Sequence, residues 1–85
     1  MITVRCLGHI GTSVGAEEIQ LADEALEAEE IVEQLRTLSR AADPGFTKYN
    51  TLVMVEDGEA FVPASTKRVV KSGQRVVLIP FSHGG

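Results

Sequence analysis

Few residues of this chain could do chemistry: Cys6, His9, His83, and the carboxylate that follows the two glycines Gly84 and Gly85. Cys6 and His9 stand three apart in or just beyond a predicted strand, where such side chains point to opposite faces and cannot pair as nucleophile and base. Cys6 is therefore expected to be a core thiol. As metal ligands, Cys6, His9 and His83 are too few and too dispersed for a structural zinc site. The glycines at 8, 11 and 15 lack a following Gly-Lys-Ser/Thr and lead into a strand, so they are expected to be hairpin glycines and not a phosphate cradle. That leaves Gly85. A terminal carboxyl, with a reference pKa of about 3.5, is an anion at neutral pH and can attack the α-phosphate of ATP. The acyl-adenylate so formed carries a good leaving group. Gly84 and Gly85 lack Cβ atoms, so the walls of a narrow passage in a partner can close on them, and either sign of φ is open to them.

The rest of the sequence says what must position such an end. At 85 residues, 44% of them hydrophobic, the chain suits one domain without room for a two-lobed cleft, which shifts the expectation toward a module that acts with larger partners. A net charge of −4 argues against nucleic acid as the main partner. No apolar run approaches the roughly 18 residues that cross a bilayer. With a single cysteine and no basic-then-apolar leader at its start, the chain is expected to be soluble and cytoplasmic. Charge is uneven: Asp23, Glu24, Glu27, Glu29, Glu30 and Glu33 form an acidic block, and Lys67, Arg68, Lys71 and Arg75 a basic stretch. These are either solvated surfaces or patches that orient docking.

Ile2, Val4 and Cys6 alternate with Thr3, Arg5 and Leu7, the period of a half-buried strand. Residues 8–15 read as a hairpin loop into a second short strand around Glu18-Ile19-Gln20-Leu21. From about Ala25 to Ala41 the period changes, and Ala28, Ile31, Val32, Leu35 and Leu38 draw one stripe on a helix that Asp43-Pro44-Gly45 stops. Leu52-Val53-Met54-Val55 then reads as a strand, turned by Asp57-Gly58 into Ala60-Phe61-Val62. Lys71-Ser72-Gly73-Gln74 turns into the most apolar strand, Val76-Val77-Leu78-Ile79, ended by Pro80. The order β-β-α-β-β-β predicts an α+β chain of the β-grasp plan: a mixed sheet of four to five strands packed on one helix. Its last strand should lie centrally and parallel to the first. The domain is expected to span 1–80, with 81–85 a flexible tail.

Over its whole length, from Met1 to Gly85, the chain resembles the ubiquitin-like sulfur carriers of the molybdopterin-synthase-small-subunit and thiamin-carrier type. The residues that carry the resemblance are Val76-Val77-Leu78-Ile79-Pro80-Phe81-Ser82-His83-Gly84-Gly85, then more weakly Ile2-Thr3-Val4-Arg5, Ile31-Val32-Glu33-Gln34-Leu35 and the turn at 71–74. His83 departs from the small residue usual before the diglycine in bacterial carriers. The resemblance implies a carrier that is not itself an enzyme and binds no cofactor of its own. A partner activating enzyme uses ATP to adenylate Gly85, a persulfide or sulfide displaces AMP, and the resulting thiocarboxylate serves a sulfur-accepting synthase. That acceptor would be the large subunit of molybdopterin synthase or, next, a thiazole synthase. Gly84, His83 and Ser82 would thread into the partner. It also implies that Val76 and Leu78 face the core, while Leu7, Met54, Val77 and Ile79 lie on the open sheet face and bind partners. Phe81 is either a plug under the sheet edge or an anchor in a partner's pocket. The same tail would serve a protein modifier joined through Gly85 to lysines of target proteins, and a β-grasp binding module with an accidental diglycine is a third reading.

Overall fold

The computed structural model describes residues 1–40 and 43–81. The strands are β1 (Ile2–Cys6), β2 (Glu18–Leu21), β3 (Ala25–Glu27), β4 (Thr51–Asp57), β5 (Ala60–Pro63), β6 (Val69–Lys71) and β7 (Arg75–Pro80), and the helices are α1 (Gly8–Val14) and α2 (Ala28–Leu38). Five strands form one mixed sheet in the order β2-β1-β7-β4-β5, and β3 pairs with β6 in a separate two-stranded ribbon. As the pattern predicted, β7 is central and runs parallel to β1, with Val4 beside Val76 and Cys6 beside Leu78, while its other edge pairs antiparallel with β4. The expected alternation holds: Val76 and Leu78 are buried, and so are Ile2, Val4, Val53 and Val55 on the same face. The stripe of α2, made of Ala28, Ile31, Val32 and Leu35, completes that core.

Four sequence expectations need correction. Residues 8–15 are not a hairpin loop, because Gly8–Val14 is helical, and two helices therefore stand among the described residues where one was expected. Ile10 and Val14, four apart, both drop into the core, which a loop could not arrange. Gly15 takes φ 80° and its N–H bonds the carbonyl of Gly11 at 2.9 Å, the left-handed cap that ends many helices. Gly11 lets this helix lie against the end of β1, since a Cβ there would stand 2.8 Å from the Cys6 carbonyl oxygen.

The main helix begins at Ala28, not Ala25, and ends at Leu38. Extending its stripe backwards would reach Glu24 and Ala25, leaving Leu26 turned aside. As strand β3, Leu26 instead pairs with Val70 of β6, and both are buried. The segment just before β6 also supplies the helix start: the Ala28 and Glu29 N–H groups donate to the carbonyls of Arg68 and Thr66. Glu27 caps the helix, and its own N–H donates to the Glu30 carboxylate at 2.9 Å. Leu38, counted into the apolar stripe, is 47% exposed. Strands β3 and β6 were absent from the predicted order, being three residues each.

Part of the uneven charge is spent inside the fold. Glu29 accepts a hydrogen bond from Lys67 of the basic stretch and another from Lys48, at 3.1 Å, of the segment after α2. Those bonds, from Lys67 first, hold the Glu29 carboxyl below its ordinary range and raise both lysines above theirs. A carboxylate depressed in the folded state stabilises above its unfolded pKa, about 4.3. That contribution is lost as pH falls through the folded value. Glu29→Gln should therefore lower the thermal midpoint at neutral pH, with the gap to the parent protein closing below about pH 4. A gap independent of pH in melts followed by circular dichroism would assign Glu29 no electrostatic role.

Candidate functional site

The helices cover one sheet face, and the other is open. Its rows follow from the pairing register. Val77 stands beside Arg5 of β1 on one side and Met54 of β4 on the other, and Met54 pairs in turn with Pro63 of β5. Ile79 pairs with Leu52, and Leu7, which donates its N–H to the Leu78 carbonyl at 3.1 Å, carries this row across to the end of β1. Thus Leu7, Met54, Val77 and Ile79 share one face, and all four are half-buried. Leu52, Pro63 and the 39% exposed Phe61 belong to the same surface and were missed. The signal for Leu52 was available, because it alternates with Val53 in step with Met54. Toward the other end the face turns polar: Arg75 binds Glu56 through its Nε at 3.2 Å, and Glu56 stands opposite Phe61.

β7 delivers the chain to the edge of this face. Pro80 is its last residue, opposite Thr51, and the Phe81 N–H donates to the Asn50 carbonyl at 2.9 Å. Phe81 is 44% exposed there, outside the core that it would have plugged. Ser82, His83, Gly84 and Gly85 lie outside the described residues.

Cys6 is buried at the end of β1, and burial pushes its thiol up to about 11, so it is protonated at neutral pH and unfit as a nucleophile. His9 is exposed in the first turn of α1, not on a strand, so the two are separated by burial and not by strand alternation. Among the described residues no group of three or more His, Cys, Asp or Glu side chains could hold a metal ion. No described helix is long and apolar enough to cross a membrane.

A five-stranded mixed sheet with the first and last strands parallel at its middle, grasping a helix on one face, is the ubiquitin-like β-grasp fold. The crystal structure of SAMP1 from Haloferax volcanii has this fold: it matches with a TM-score of 0.65 over 99% of this chain and 98% of that one, at 15% sequence identity. At that identity the likeness establishes the fold. No protein-family model matches the chain, and no curated protein sequence matches it.

Proposed function

We propose that the chain is a ubiquitin-like sulfur carrier, a protein cosubstrate whose Gly85 carboxylate is adenylated by a partner activating enzyme that consumes ATP. Sulfide then attacks the acyl carbon as AMP leaves, and the thiocarboxylate formed on Gly85 gives its sulfur to a synthase. Molybdopterin formation is the first assignment and thiamin thiazole formation the second. The observation that carries the reading is the position of β7: the strand that leads into Ser82-His83-Gly84-Gly85 is the middle of the sheet, held on both sides. Its outward residues Val77 and Ile79 lie among Leu7, Leu52 and Met54. A partner seated on that apolar face meets the chain where Phe81 leaves the sheet, and only three residues separate Phe81 from Gly85, which carries the acyl carbon. A contiguous apolar surface left partly open to solvent in this way favours a protein interface.

Intact-mass spectrometry of the protein from its native cell tests the reading and also tests that Gly85 carries the free carboxylate. One oxygen replaced by sulfur at Gly85 is the expected result. Isopeptide-linked adducts to lysines of other proteins, with no sulfur-bearing form, would replace the carrier by the modifier.

A further inference from the structure

The pairing register sets one cation directly beside the aliphatic residues of the open face. Arg5 stands between Val77 of β7 and Glu18 of β2, and Val77 leads on to Met54. Its side chain is exposed, and among the described residues its guanidinium enters no hydrogen bond or ion pair. Glu18 faces Arg5 across the strand pair without closing an ion pair with it. The next cation on this face, Arg75, is bonded to Glu56 through Nε alone. Together with Thr3, Glu18, Phe61 and Val77, the two arginines line a recess of about 170 Å3, which is too small for a drug-sized ligand but has room for one side chain. The Thr3 hydroxyl there is already spent on Gln20.

Neighbouring strands lie about 4.8 Å apart, so a partner that covers Val77 also closes over Arg5. Covering a guanidinium with no counter-charge leaves an unpaired charge out of water, which is strongly unfavourable. The partner must therefore bring an acceptor with it. The guanidinium fork suits a carboxylate above other acceptors, because two parallel N–H groups meet its two oxygens. We propose that the recess receives one aspartate or glutamate side chain from the partner, held by Arg5 with Arg75 as the second positive charge, and that Arg5 thereby selects which partners the open face accepts. Such a partner is apolar opposite Val77, Ile79, Leu52 and Met54 and carries a single acid one strand spacing to the side. A partner with a basic or neutral group at that point would leave Arg5 repelled or unpaired, so the same residue works against wrong partners. The inference rests on the open face being the partner's seat, and not on the chemistry of Gly85.

The probes are three capped peptides, Leu-Gly-X-Gly-Leu with X glutamate, glutamine or lysine, titrated at low salt into the isotope-labelled full chain. The glutamate peptide should shift the Arg5 Nε–H and the amides of Arg75 and Val77, and should bind roughly tenfold more tightly than the glutamine peptide. Arg5→Glu should reverse the order and make the lysine peptide the tightest, with the amide spectrum of the core unchanged. Equal binding of the glutamate and glutamine peptides would mean that Glu18 serves Arg5 from within the chain, and would overturn the assignment. So would binding of none of the three, shifts centred away from the open face, or a glutamate preference that survives Arg5→Glu. The expected shifts in a protein that carries no sulfur on Gly85 in its native cell would uphold the recess and refute the carrier reading alone.

Discussion

Deleting Gly85, or replacing it with alanine, should abolish pyrophosphate exchange with the cognate activating enzyme, by roughly a hundredfold or more, while the thermal melt of the domain stays where it was. Deletion moves the reacting carboxylate back by one residue, so that it no longer reaches the nucleotide. Alanine keeps the length but adds a Cβ where the partner's backbone must close in. Both changes lie beyond Phe81, the last described residue, and every core side chain among the described residues precedes it. Exchange within threefold of the parent protein by either variant would refute a role for Gly85 as the acyl group.

The largest effect on stability is expected at a residue outside every strand and helix. Phe46 lies in the segment between α2 and β4, yet it is 1% exposed and is the largest of the fully buried side chains. Phe46→Ala should cost about 3–5 kcal/mol in urea unfolding, because it removes both the burial and the packing of a ring. A domain of this size holds on the order of 4–13 kcal/mol in total, so the variant should be near its unfolding threshold at room temperature. Phe46→Leu, which refills most of the space, should recover the greater part. A loss below about 1 kcal/mol for the alanine variant would mean that the segment collapses onto the core without the ring.

Phe46 also illustrates what the sequence could and could not disclose. Strands β1, β4 and β7 were legible because each sets a buried aliphatic at every second place, as in Ile2-Val4-Cys6 and Val76-Leu78, and that period survives any neighbour. The α2 stripe was legible for the same reason. Phe46 stands alone among polar residues with no period to join, so only the folded core reveals that its ring is needed there. The ribbon of β3 and β6 escaped because three residues cannot show a period, and what makes Leu26 extended is Val70, 44 positions away. Helix α1 was misread through its glycines, although Ile10 and Val14 at a spacing of four and Gly15 as a cap were present to be weighed. For the site, alternation placed Val77 and Ile79 on one face and could have set Leu52 beside Met54, whereas pairing alone could add Pro63 and Phe61.

The parallel contact of β1 with β7 bears on how the molecule comes into being in the cell. The opening strand has one lateral partner in β2, but the seam through the middle of the sheet waits for residues 75–80. A chain that lacks those residues carries most of the apolar core but not the central strand that joins β1 to β4. A polypeptide cut short anywhere ahead of Arg75 should be degraded instead of accumulating as a tailless decoy for its partners.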